Sequence, residues 1–249
     1  VPQQESETGW LLTVYPDARE GAGVFRWPFR PEYERAKSAY TDAPYSEERV
    51  EAIAVSRAKG KVRRFCIANG LTRLGTLTYA GEGCHDPRQL RSDLGEFFRA
   101  LRVLLGGKAF AYLWVPEWHP GGHGLHAHFA VGRYIKKAVI EDAWGRGYVH
   151  IKLLCDLPVG TTKVHEAAQV AWYLSKYMDK AFAGRKESGL HRYEVAQHFQ
   201  PASVRLTADT LSVALERSGE VMGGRPTVSM STEWPNWTGP LAVGLQWPG

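Results

Sequence analysis

Seven consecutive segments between Leu74 and Phe182 switch between a two-residue and a 3.6-residue apolar period, and their order leaves few folds open. After the turn signal Asn69-Gly70, Leu74 to Tyr79 alternates as a strand. Asp86-Pro87 then opens a helix, with Asp as N-cap and Pro in the first turn. Its apolar stripe is Leu90, Leu94, Phe97, Phe98, Leu101 and Leu105, and Gly106-Gly107 stops it. Ala109 to Val115 reads as a strand ended near Pro116, and Leu125 to Val131 as its hairpin neighbour across the Gly/His-rich segment 118–124. A short helix from Ile135 to Trp144 ends at Gly145, Tyr148 to Leu154 is a further strand, and Lys163 to Phe182 is a long helix closed by Gly184.

The order β-α-β-β-α-β-α with hairpin neighbours predicts an α+β fold, ferredoxin-like or RRM-like in outline, with an antiparallel sheet covered by helices on one face. Side-chain parity agrees. Leu125, Ala127, Phe129 and Val131 oppose His126, His128 and Ala130, and Val149 and Ile151 oppose His150 and Lys152. One face is apolar; the other is polar enough to host chemistry. Upstream, residues 47–66 form a basic helix, and residues 1–50 are expected as an N-terminal arm packed on a core of about 60–185. Residues 51–249 are expected as the main domain with a C-terminal extension, the whole forming one compact domain, with a further strand at Thr210 to Leu215.

At 249 residues, 44% hydrophobic and 23% charged, the composition excludes collagenous, low-complexity and wholly disordered chains. No apolar run is long enough for a transmembrane helix. Val1 to Thr8 is polar and acidic, unlike a secretory signal, and the chain begins without Met. Three scattered cysteines (Cys66, Cys84 and Cys155) fit no disulfide framework, so a reducing, cytoplasmic setting is expected. The net charge of +5 is uneven. From Arg57 to Arg73 the chain carries Arg57, Lys59, Lys61, Arg63, Arg64 and Arg73 without one acidic residue, a stretch that favours a polyanion or is simply a solvated helix face.

Two clusters can carry chemistry. His126 and His128, two apart on a strand, present both imidazoles to one ion, and Glu117 is near them if the strands form a hairpin. Two imidazoles and a carboxylate leave coordination positions open, which suits Mg²⁺ or Mn²⁺ acting on a phosphate. A structural zinc using His119 or His123 as further ligands is the rival reading. The second cluster is Tyr173-Leu-Ser-Lys176-Tyr177-Met-Asp-Lys180, Tyr-x-x-Lys twice. Helical geometry sets its phenols about 40° apart around the axis and about 6 Å apart along it. A nearby ammonium favours the phenolate that a tyrosine nucleophile needs. The same helix also reads as amphipathic, burying Val170, Leu174, Met178 and Ala181 and displaying Tyr and Lys outward. Tyr112 and Trp114 share one side of their strand, for base stacking or core packing.

In this order the motifs resemble those of the HUH endonucleases, over roughly residues 60–185. Leu74-Gly-Thr76-Leu-Thr78-Tyr79 looks like the family's hydrophobic-Thr strand, Gly124-Leu-His126-Ala-His128-Phe-Ala-Val like its metal motif, and Tyr173 to Lys180 like the motif of two-tyrosine rolling-circle replication initiators. Val115-Pro-Glu117-Trp-His119-Pro and Trp144 to Lys152 resemble actinobacterial plasmid or integrative-element initiators. The resemblance implies an HUH fold and a metal-dependent nuclease and strand transferase acting on single-stranded or hairpin origin DNA. His126, His128 and Glu117 would be its ligands for Mn²⁺ or Mg²⁺. Tyr173 would nick, leaving a 5′-phosphotyrosine and a 3′-OH, and Tyr177 would carry the second transfer. Lys176 and Lys180 would assist, and Lys152, the Arg57–Arg73 cations, Thr76 and Thr78 would contact DNA. A host helicase and a polymerase would be partners, since no phosphate loop is present: Gly106-Gly107-Lys108 lacks its spacing. A binding-only domain and a small-molecule His-x-His metalloenzyme are the alternatives.

Overall fold

The computed structural model describes residues 8–26, 46–152, 160–182, 191–235, 237 and 239–248, without the side chains of residues 179–182. The chain divides into two units: Ala54–Gln200, and Val1–Ile53 together with Pro201–Gly249. Among the described residues no helix is long and apolar enough to cross a membrane.

The first unit is built on a five-stranded antiparallel sheet of order β6-β3-β5-β4-β7. Its strands are β3 (Arg73–Tyr79), β4 (Tyr112–Trp118), β5 (Leu125–Val131), β6 (Gly147–Lys152) and β7 (Glu194–Val195). Gly124 closes the β4–β5 hairpin at φ 80°, where a Cβ would lie 2.2 Å from the Cys84 carbonyl oxygen, so no larger residue fits. Strand β4 is shifted from its expected span and runs through Pro116. His119 N–H donates to the Gly124 carbonyl, and alternation from that bond makes Pro116 and Ala127 a non-hydrogen-bonded pair. The donor that proline lacks would have pointed away from β5, and β7 pairs only with Leu113 and Trp114. Proline therefore breaks no ladder bond.

Helix α2 (Pro87–Leu104) starts as expected, with the Asp86 carboxylate accepting the Arg88 N–H at 2.8 Å. Its stripe of Leu90, Leu94, Phe97, Phe98 and Leu101, with Ile140, Ala143 and Trp144 of α3 (Lys137–Trp144), covers Leu77, Trp114, Phe129 and Val149 of the sheet. Each such large apolar side chain contributes about 1.5–3 kcal/mol on burial. Tyr112 stacks on Phe98 with centroids 3.6 Å apart and Trp114 is buried, so both are core residues.

The sheet's other face is not bare, as a one-sided cover would leave it. Helix α1 (Glu47–Ala68) and helix α4 (Lys163–Phe182) lay Ala58, Val62, Phe65, Val170, Leu174 and Met178 against Leu74, Leu113, Val115 and Ala130. Both helices carry an apolar stripe that has to be buried, and this end of the face supplies the matching apolar residues. Its remaining residues, polar at the same parity, are where the candidate site forms. Cys66 and Cys84 are free and buried, and burial pushes the Cys66 thiol up; Cys155, Leu154 and Gly184 lie outside the described residues.

Residues 9–26, expected as part of an arm, instead form a β-hairpin in a second sheet. Strands β1 (Gly9–Tyr15) and β2 (Glu20–Arg26) are completed by β8 (Val204–Ala208), β9 (Thr227–Met230) and β10 (Ala242–Gln246), in the order β8-β1-β2-β10-β9. Trp10, Leu12, Val14, Val243, Leu245 and Trp247 form its core. Thr210 to Leu215, expected as a strand, opens helix α5 (Leu211–Met222). The Thr210 hydroxyl caps it by accepting the Val213 N–H at 3.3 Å, and Gly223 ends it in the left-handed conformation.

Candidate active site

Strand register aligns the polar face in rows. Tyr148, Thr78, His126 and Glu117 lie opposite one another across β6, β3, β5 and β4; His150, Thr76, His128 and Val115 form the next row, and Lys152, Leu74, Ala130 and Leu113 the third. His126, His128 and Glu117 are consequently neighbours, and all three are buried. The Nε2 atoms of His126 and His128 each lie 2.9 Å from Glu117 Oε2 and 3.2 Å from each other. Burial would raise the Glu117 carboxyl, but hydrogen bonds from His128 and His126 overrule it and hold the pKa at about 2. His126 is pushed below the ordinary histidine value by burial first and by His128 second, against the opposing pull of Glu117.

These residues fit a divalent cation. Two imidazole nitrogens and an ionised carboxylate oxygen converge on one point, held together in the fold by hydrogen bonds that a cation would replace. Thr76 Oγ1 lies 2.9 Å from His128 Nδ1, the outer hydrogen bond that fixes which nitrogen of a ligating histidine faces the ion. The buried Nδ1 of His126 has no partner among the described residues. No fourth His, Cys or carboxylate joins the cluster among the described residues. His119 Nδ1 accepts the Gly121 N–H, so a neutral ring carries its proton on Nε2 and offers no free lone pair. His123 donates Nε2–H to the Tyr79 carbonyl at 3.0 Å. Neither joins the cluster among the described residues, so the zinc reading finds no further ligand there.

Helix α4 brings both tyrosines to the cluster. The Tyr177 ring stacks on His128 with centroids 3.6 Å apart, and the Tyr177 hydroxyl donates to the Tyr173 hydroxyl. Lys152 Nζ stands 3.9 Å from the centre of the Tyr173 ring. Burial alone would raise Tyr173, but the hydrogen bond from Tyr177 and the bond and charge of Lys152 bring it below the usual tyrosine value. Tyr177 is pushed up, by burial first and then by its role as donor to Tyr173.

The lysine beside Tyr173 is thus Lys152 from the sheet. Lys176, expected to serve the tyrosines, is exposed and lies 3.6 Å over the Trp172 ring, because its four-residue spacing from Trp172 draws it backward along the helix. The Lys180 side chain lies outside the described residues. Thr78 is half-buried in the row of His126, whereas Thr76, expected at DNA, is engaged with His128. Arg57, Lys61 and Arg63 are exposed on α1 and Lys59 and Arg64 half-buried; Arg73 is exposed at the start of β3. Tyr148 and His150 escaped notice as site residues, although their parity with Lys152 put them on this face.

Fold and site together define an α+β protein with a pre-assembled three-residue cluster that could hold a metal ion and a hydrogen-bonded tyrosine pair on top of it. Residues 72–182 match the family model of Replication-associated protein ORF2/G2P. That span runs from the residue before β3 to the end of α4, so it contains the metal cluster and both tyrosines, and it supports a replication-associated protein, a replication initiator. No curated protein and no solved structure matches the chain.

Proposed function

We propose that this chain is a two-tyrosine initiator of the HUH type that nicks and rejoins single-stranded or hairpin origin DNA and so starts rolling-circle replication. The observation that carries the reading is the tyrosine pair stacked on the ligand cluster: Tyr177 covers His128 and holds the Tyr173 hydroxyl by a hydrogen bond. Glu117, His126 and His128 would hold Mn²⁺ or Mg²⁺, which when bound polarises a phosphate. Tyr173 Oη attacks phosphorus, the P–O bond to the 3′ oxygen breaks, and that oxygen takes up a proton. The products are a 5′-phosphotyrosine and a free 3′-OH that a polymerase can extend. Lys152 and the Tyr177 hydroxyl favour the anionic oxygen that attacks, and Tyr177 then serves the second transfer. The phosphotyrosine conserves the energy of the broken bond, so rejoining needs no nucleotide. Unwinding is left to a host helicase. Cations on α1 contact the DNA backbone without reading sequence.

Covalent capture tests this. Protein mixed with a randomised single-stranded DNA pool and Mn²⁺ gives an SDS-resistant adduct that EDTA and the Tyr173→Phe/Tyr177→Phe double variant both abolish. Tyr173→Phe alone abolishes nicking, whereas Tyr177→Phe slows it without abolishing it. An adduct persisting in the double variant would rule out tyrosine chemistry, and a folded protein that binds strands without capture would be a binding-only domain. Neither binding nor capture would turn the cluster toward a small-molecule substrate.

A further inference from the structure

We propose, resting on the reading above, that the exposed edge strand β6 is the rail along which a single nucleic-acid strand reaches the site, with Tyr148 as the platform on which a base beside the reacting phosphate stacks. Exposure falls from β6 inward along the two rows that carry the cluster. His126, His128 and Glu117 are buried at 6%, 5% and 6%, Thr76 and Thr78 are half-buried, and Tyr148, His150 and Lys152 on β6 are all exposed. Among the described residues the exposed side of these rows is therefore β6, while α1 and α4 cover the apolar end of the same face.

Tyr148 is a large aromatic left 69% exposed, on the same face as the ligands and in the row of His126 and Glu117. Two strand spacings, about 10 Å, separate its backbone from that of His126. A base lying on the Tyr148 ring thus places its own or the next phosphate within reach of the cluster. Farther along β6, His150 and Lys152 follow at steps of about 6.7 Å, offering hydrogen-bond donors and a fixed cation to the backbone of that strand. A flat exposed ring followed by donors and a positive charge suits a single strand, whose base faces are free. A duplex hides those faces between its own pairs.

The test measures binding by the full chain of a fluorescein-labelled single-stranded DNA of random sequence, in EDTA, across a range of salt. Tyr148→Ala weakens binding roughly tenfold and leaves the salt slope unchanged, while Tyr148→Phe keeps the platform and binds like wild type. Lys152→Gln instead lowers the slope of log K against log salt by about 0.7, the mark of one lost phosphate contact. An unchanged thermal midpoint for Tyr148→Ala shows that the fold is intact. Wild-type affinity in Tyr148→Ala overturns the platform and leaves the nuclease reading standing. A wild-type chain that binds no single strand overturns both.

Discussion

Thr76 sits where one hydroxyl orients a histidine of the candidate metal cluster. Its bond to His128 Nδ1 leaves Nε2 facing Glu117 and His126. Thr76→Val keeps the shape and the strand propensity but removes that bond, and it should weaken Mn²⁺ binding about 10- to 100-fold, read by titration of the free-ion electron spin resonance signal. The ligands themselves make the metal-free protein acid-sensitive. His126 has a depressed folded pKa, so below about pH 6.5 the unfolded chain binds its proton first and stability falls as pH drops. Glu117, held at about 2, has its stabilising effect in full above the unfolded carboxylate value and loses it between about pH 4.5 and 2. The melting midpoint in EDTA should therefore fall from pH 7 to pH 5, and His126→Asn should flatten that part of the profile. The paired histidines were legible because parity is a local rule; Glu117 was legible only as their neighbour across a hairpin, since the strand was expected to end near Pro116. That Lys152 reaches Tyr173 was not, since strand and helix meet there only through tertiary packing.

Elements are joined by a buried polar knot as well as by apolar stripes. The Tyr79 hydroxyl of β3 donates to Asp93 Oδ2 of α2 at 2.7 Å, Gln89 donates to Oδ1, and Arg146, just before β6, pairs with Asp93 at 3.0 Å and with Glu96 at 2.5 Å. Asp93→Ala leaves the buried Tyr79 hydroxyl without its acceptor and takes from Arg146 one of its two carboxylates, and should cost roughly 1–3 kcal/mol, measured by urea unfolding. At this scale the helices and strands of residues 73–182 were readable wherever a cap or a stop accompanied the period: Asp86-Pro87 for α2, Gly145 for α3. Helix α5 was misread because Thr210-Leu-Ser-Val-Ala-Leu215 alternates like a strand over its first turns. The signals that outweigh this are its ends, the Thr210 cap and Gly223. Pro116 misled in the opposite way, since a proline stops a strand only where its missing donor was needed.

In the whole molecule, every residue of the metal and tyrosine site belongs to one continuous stretch, Ala54–Gln200. A fragment of residues 46–200, which keeps α1 entire, should unfold in one cooperative transition by circular dichroism and bind Mn²⁺ as the full chain does. A fragment that is unfolded would show that the second unit is needed for stability. That second unit was illegible as such, because its strands are short and come from both ends of the sequence, and no local rule pairs Leu12 with Leu206 or Val24 with Ala242. The order in which the chain is made gives this pairing a cost in time. Hairpin β1–β2 is made before both of its sheet neighbours, with one lateral edge waiting for β8 and the other for β10. At ~5–20 residues per second, roughly ten to forty seconds pass before β10 is synthesised. For that interval the nascent hairpin exposes two unpaired edges able to recruit a neighbouring chain. Lower growth temperatures lengthen the interval, so the hairpin of residues 9–26 has to be shielded for longer before β10 arrives.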